Sequence, residues 1–98
     1  MNAHPTALVH ESAKVDPSVE IGPYCIVGPH VTLGKDVKLH SHVILEQHVK
    51  IGEGTQVFPF VVIGKQPQSR LSTGEEVGYV EIGCHNMIRE HVTIHYGI

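Results

Sequence analysis

The sequence predicts an all-β fold, a parallel β-helix built from hexapeptide repeats, about four to five coils long with one external loop. Three observations carry this expectation. From Val9, every sixth residue is aliphatic through Val15, Ile21, Val27, Leu33, Leu39, Leu45, Ile51, Val57 and Ile63, and the beat resumes at Ile82, Ile88 and Ile94. Two places before each sits a small or β-branched residue in most repeats: Ala7, Ala13, Val19, Cys25, Val31, Val37, Val43, Val49, Thr55 and Val61. Glycine often follows the aliphatic position, at Gly22, Gly28, Gly34, Gly52, Gly64 and Gly83. A period of six fits neither an amphipathic helix nor an ordinary hairpin sheet.

Each hexad reads as a short strand and a corner. Strand side chains alternate with period two, so the aliphatic residue and the one two places before it face the inside of the coil together. Valine and isoleucine pack well on such a pleated interior. Glycine after the aliphatic position suits a corner, where positive φ or close backbone approach is cheapest without a Cβ. Three sides close a triangular coil of about eighteen residues, and successive coils pair in parallel. The competing architecture, a β-sandwich with regular turns, does not keep one fixed period over so many repeats. Handedness does not follow from the pattern, and the general rule for parallel crossovers favours the right hand.

The period fails once. Nineteen residues separate Ile63 from Ile82, where eighteen would keep step. The segment between them, about 65–78, is polar, carries Pro67 and turn formers, and is expected to leave the coil as a loop, with the helix resuming at Tyr79 to Gly83. Repeat proteins gather insertions on one face, often the binding face. The loop is therefore the first candidate for ligand contact, with a tolerated surface excursion as the alternative.

The 98 residues are read as a single β-helix domain spanning 1–98. A solenoid this short exposes both ends of its stack. The hexads stop shortly after Ile94, without a polar cap, so the chain is expected to be a piece of a longer polypeptide. Net charge is −3 with scattered basic residues, which argues against nucleic-acid binding. Neither a leader nor a long apolar run is visible, so no membrane insertion is expected. Of the two cysteines, Cys25 falls at an inward position and Cys84 at a corner. They form no framework, and the expected compartment is the cytoplasm.

Several stretches carry a more specific pattern: IGPYCIVGPHVTLG (21–34), SHVILEQHVKIGEGTQVFPFVVIG (41–64), the loop start KQPQ (65–68) and VEIGCHNMIREHVTIHYG (80–97). Over almost the whole chain these resemble the amino-terminal part of the acyl-[acyl-carrier-protein]–UDP-N-acetylglucosamine O-acyltransferase family. The resemblance implies a left-handed β-helix, a homotrimer with active sites between subunits, and transfer of a hydroxyacyl group from acyl carrier protein to the sugar 3-hydroxyl, the first step of lipid A biosynthesis. It implies a histidine acting as general base and backbone donors for the oxyanion. No cofactor is implied. Gln68 matches the family's loop glutamine and His95 a histidine near the nucleotide-sugar site, which makes these two the candidate substrate-binding residues.

The chain also departs from the family. The family's catalytic histidine lies on a coil beyond the IREHVTIH segment, and its helical carboxy-terminal domain follows later still, so no catalytic residue is assigned here. Ser69 and Leu71 stand where the family has aspartate and lysine, and these two cannot supply that pair's charges. A one-residue insertion falls near Glu75 to Gly78, and HYG (95–97) replaces a more basic ending. The chain alone is therefore expected to be inactive.

The nine histidines invite proton-transfer and metal readings. His40 and His42 are read as alternating on one strand, His30, His48 and His85 as surface residues, and Arg89 with Glu90 as a structural ion pair or subunit contact. Tyr24, Phe58 and Phe60 are expected to pack between coils or against a neighbour. Two alternatives remain in view. One is a non-catalytic β-helical remnant or oligomerisation module. The other is a zinc protein resembling γ-class carbonic anhydrases, but the histidine spacing it needs is broken, because Glu90 stands five before His95 and His91 only four before it. No metal site is assigned.

Overall fold

The computed structural model describes residues 1–65 and 80–95, the side chains of Lys65 and His95 excepted. Short parallel strands follow one another at three-sided intervals. The first circuit is β1 (Asn2–Ala3), β2 (Leu8–Val9) and β3 (Lys14–Val15), and the second is β4 (Glu20–Ile21), β5 (Ile26–Val27) and β6 (Thr32–Leu33). The third is β7 (Lys38–Leu39), β8 (Ile44–Leu45) and β9 (Val49–Ile51), followed by β10 (Gln56–Val57), β11 (Val62–Lys65) and β12 (Val80–Ile82). Two further sides are β13 (Met87–Ile88) and β14 (Thr93–His95).

The strands stack into three sheets, one for each side of a triangular prism. The first sheet runs β1-β4-β7-β10-β13, the second β2-β5-β8-β11-β14 and the third β3-β6-β9-β12. Register advances by one circuit, pairing Ala3 with Ile21, Ile21 with Leu39 and Leu39 with Val57. Every aliphatic position therefore stacks on the one a circuit away, and the prism's interior is a continuous dry column. Ile21, Val27, Leu33, Leu39, Leu45, Ile51, Val57 and Ile63 are all at most 2 % exposed, as are the partners two places before them from Val19 to Val61. Thr55, the polar member of that inner row, donates its hydroxyl to the Gly83 carbonyl (2.8 Å) and accepts the Asn86 amide (3.2 Å). Burial without loss is possible because both functions of the hydroxyl are used.

Two sequence expectations are corrected by the register. Ile82 does not sit one full circuit after Ile63. It pairs with Ile51 on the third sheet, 31 positions away against 18 between uninterrupted partners such as Leu33 and Ile51, an excess of 13 residues. The chain leaves after β11 of the second sheet and resumes on the very next side, where β12 pairs the edge of β9 that β6 leaves open. The segment expected to form the loop lies outside the described residues, apart from Lys65, which ends β11. His40 and His42 likewise do not share a strand: His40 follows β7, and His42 occupies the corner with φ 52°.

The corners divide their demands between two positions. A Cβ on Gly22, the first corner residue, would collide with the His40 carbonyl oxygen. Positive φ falls instead on the third corner residue, and mostly on residues other than glycine: Tyr24, His30, Asp36, His42, His48, Phe60, His85 and His91 have φ between 52° and 64°. Histidine and aspartate tolerate this region better than branched residues do. Among the first-corner glycines, Gly64 is the exception, with φ +87° at the register shift between Ile63 and Lys65.

Candidate functional site

Three outer surfaces differ in chemistry although one inner rule built them. Outward residues of the first sheet are Asn2, Glu20, Lys38, Gln56 and Met87, with Lys38 Nζ 3.9 Å from Glu20 Oε2. Those of the third sheet are Lys14, Thr32, Lys50 and Glu81. Those of the second sheet are Leu8, Ile26, Ile44 and Val62, ending at Thr93. Leu8 is 65 % exposed and Ile26 41 %. Leu8, Ile26 and Ile44, with His10, Pro29 and Glu46, line an open groove of about 740 Å³. Sequence reading passed over this row, although an aliphatic residue every eighteen positions just before the inward one was its signal.

The corner leading into this face is the aromatic edge of the molecule. Tyr24, His42, Phe60 and His91 occupy successive left-handed positions, and their rings follow one another at centroid separations of 5.2, 4.9 and 5.6 Å. Tyr24 and Phe60 remain 60 % and 53 % exposed, so their packing is along the edge and not inside the prism. Beside this file, His40 stacks on Phe58 at 4.5 Å, and the Arg89 guanidinium lies 4.3 Å from the Phe58 centroid. Arg89 Nε also meets Glu90 Oε1 at 3.3 Å, on a well-exposed surface. A cation over an aromatic face at this distance is attracted by the ring quadrupole. At the next corner, His30 and His48 stack at 4.9 Å.

Of the two candidate substrate residues, His95 closes β14 and its backbone pairs with Lys65 across the Gly64 bulge. Gln68 lies outside the described residues, three positions after Lys65. Lys65, the last described residue before Gln68, therefore lies beside His95 at one end of the second sheet. Bulges re-aim side chains and recur next to functional sites.

Electrostatics are muted. Burial pushes the Cys25 thiol above its ordinary range, despite hydrogen bonding that pulls the other way. The Asp16 carboxyl is held below its usual range by the Ser18 amide and hydroxyl. Among the described residues, no three histidine, cysteine or carboxylate side chains come together as a metal set. Among the described residues, no helix is long and apolar enough to cross a membrane.

Comparison with known proteins adds to this geometry. Residues 3–68 match the family model described as the GMPPB C-terminal domain. Among curated proteins, the acyl-[acyl-carrier-protein]–UDP-N-acetylglucosamine O-acyltransferase of Thermodesulfovibrio yellowstonii is 50 % identical over 46 residues, 47 % of this chain and 17 % of its own length. The Rhizobium rhizogenes enzyme of the same name is 49 % identical over 47 residues, 48 % of this chain and 17 % of its own. The solved UDP-N-acetylglucosamine O-acyltransferase of Moraxella catarrhalis superposes with TM-score 0.94 at 46 % identity, over 99 % of this chain and 37 % of that one. That of Francisella novicida gives 0.93 at 39 % identity, over 97 % and 34 %. The chain thus spans about a sixth of these curated relatives and about a third of the solved ones. It shares their left-handed β-helix, since a coil of opposite hand would not superpose along its length. The family resemblance read from the sequence stands.

Proposed function

The chain belongs to the GMPPB C-terminal domain family, and on that premise we propose that it forms the amino-terminal coils of a UDP-N-acetylglucosamine O-acyltransferase-like protein. The observation that carries this is the likeness at TM-score 0.94 and 46 % identity over 99 % of the chain. The reaction would move a hydroxyacyl group from the thioester of acyl carrier protein to the sugar 3-hydroxyl, in the cytoplasm, as the opening step of lipid A biosynthesis. The contribution of these coils would be to hold the nucleotide-sugar, through Gln68 and His95, and not to supply the general base.

The same reading makes the protein a homotrimer. Its support is the second sheet, whose outer row is aliphatic where the other two are charged, and exposed apolar patches of this kind mark interaction surfaces. A neighbouring copy would cover Leu8, Ile26, Ile44 and Val62.

Calorimetry and amide NMR with UDP-N-acetylglucosamine test the substrate assignment. Saturable binding that shifts the His95 and Gln68 resonances, and that weakens in His95→Ala and Gln68→Ala, is the expected result. Turnover with hydroxyacyl carrier protein by these 98 residues would overturn the placement of the base elsewhere. Neither binding nor turnover would leave a second reading, a non-catalytic β-helical module. That reading is favoured by the family match, which covers residues 3–68 and so leaves out the Arg89 to His95 segment.

A further inference from the structure

The first coil closes its three corners with one repeated device. At the first corner, the Thr6 amide (3.2 Å) and hydroxyl (2.8 Å) both point at His4 Nδ1. At the second, the Ser12 amide (3.0 Å) and hydroxyl (2.8 Å) point at His10 Nδ1. At the third, the Ser18 amide (3.0 Å) and hydroxyl (2.7 Å) point at Asp16 Oδ1. Each hydroxyl oxygen then accepts the amide of the left-handed corner residue in the next coil: Tyr24 to Thr6 (2.9 Å), His30 to Ser12 (3.0 Å) and Asp36 to Ser18 (2.8 Å). Higher in the stack these corner amides find carbonyls instead, as with His42 to Pro23 and His48 to Pro29.

A backbone amide can only donate, so Nδ1 of His4 and of His10 must be a bare lone pair, with the ring proton on Nε2. Protonating either ring turns that acceptor into a donor facing a donor. The Thr6 or Ser12 amide then loses its partner. The Asp16 oxygen that does the same work at the third corner remains an acceptor well below neutrality, since its two bonds from Ser18 favour the ionised carboxylate. Strand β2 lies between the two imidazole corners, and it carries Leu8, the most exposed aliphatic residue of the apolar face.

We propose that the first coil is a pH-sensitive cap, in which neutral His4 and His10 hold β2 in place and acidification releases it while the Asp16 corner stays closed. The charged and titratable groups packed around the first corner are Glu20 and Tyr24, while the amino terminus bonds the Pro17 carbonyl at the third. Around the second they are Glu11, His30 and Glu46. Histidine as a residue type exchanges its proton between pH 5 and 8, which sets the range over which the proposal is tested. This inference does not depend on the acyl-transfer reading, because its test measures amides and no substrate.

Amide exchange of the whole chain, followed by NMR from pH 8 to pH 5 and corrected for intrinsic rates, reads the cap directly. Protection at Thr6 and Ser12, the amides that lose their imidazole acceptor, should fall about tenfold relative to Ser18, the scale of one lost hydrogen bond. Long-range imidazole spectra at pH 8 should show Nδ1 of both rings unprotonated. In the double variant His4→Asp, His10→Asp all three corners carry the carboxylate device, and the three amides should then keep a constant ratio across the range. A constant ratio in the native chain, or an acid loss that persists in the double variant, would overturn the proposal. Because each corner is compared with the other two in the same molecule, global unfolding would appear as equal loss at all three and would also count against it.

Discussion

In the middle coils Val37, Leu39, Val43 and Leu45 are sealed at 1 % exposure or less, whereas their counterparts in the first coil, Ala3, Ala7 and Val9, are only partly buried. The two regions follow the same inward rule, so the difference lies in what covers them. A middle coil is covered on both sides and can use large side chains. The first coil is covered on one, and it places alanine where the others place valine or leucine. Small residues limit the apolar area left facing water at the open end. The corners change in step. In the first coil they close as turns, with amides of Ala7, Ala13 and Val19 bonded to carbonyls of His4, His10 and Asp16 three residues back. Above it such turn bonds are longer and fewer, at Val37 to Gly34 (3.3 Å) and Thr55 to Gly52 (3.4 Å), and corner amides such as His42 and His48 bond the coil beside them. Stability in this solenoid is thus borrowed from neighbours, and the end coil has half as many.

The largest effect should separate the two regions at the core. Leu39→Ala opens a cavity between two coils and is expected to cost about 2–5 kcal/mol, read as a lower denaturant midpoint. Val9→Ala, at the inward position of the first coil in the row of Val27 and Leu45, should cost about 1 kcal/mol or less. Equal losses would mean that the first coil is as well covered as the rest. Next comes the corner backbone. Gly22→Ala drives a methyl into the His40 carbonyl and should cost about 1–3 kcal/mol or more, since the clash is with backbone and cannot be relieved by a rotamer. The equivalent position in the first coil is His4, where a Cβ is already present, so His4→Ala removes the cap contact alone and should cost less.

Smaller effects test the outer surface. Arg89→Ala removes the cation from the Phe58 face and should cost about 0.5–1 kcal/mol in thermal denaturation, with the Glu90 pair contributing little at this exposure. Asp16→Asn should produce the smallest change, present at neutral pH and vanishing in acid. Its depressed carboxyl contributes stability above the ordinary carboxylate range, and that contribution is lost as pH falls through the lowered value. The native chain should therefore lose a little more stability than the variant between pH 5 and the acid limit of the titration. Identical acid profiles would show that the Ser18 bonds add nothing.

Much of the site and its scaffold could be read from residue order, and the remainder depends on which sides meet. Inward rows were legible because a fixed period puts the same face of every strand toward one axis, so Leu33 or Leu45 needs no knowledge of its neighbours. The side on which the chain re-enters after Ile63 was misplaced because counting to Ile82 cannot tell which of three sides it rejoins, and only pairing with Ile51 decides it. His40 and His42 were misread for a related reason. Spacing two residues apart means one strand face only if both residues are in a strand, and here the corner intervenes. The outer aliphatic row from Leu8 to Val62 and the file from Tyr24 to His91 have a period of a whole circuit. Such a period becomes contact only after the coil closes.

The sequence by itself determined the six-residue repeat, its dry interior and the family likeness, because these rest on local alternation and on motifs readable along one chain. Tertiary structure decided the left-handed corners on Tyr24, His30 and their successors, the aromatic edge, the apolar second face and the side on which β12 resumes. The physical reason is stacking. Residues one circuit apart have no relation in the linear chain, and they become nearest neighbours only when each coil lies on the one before it.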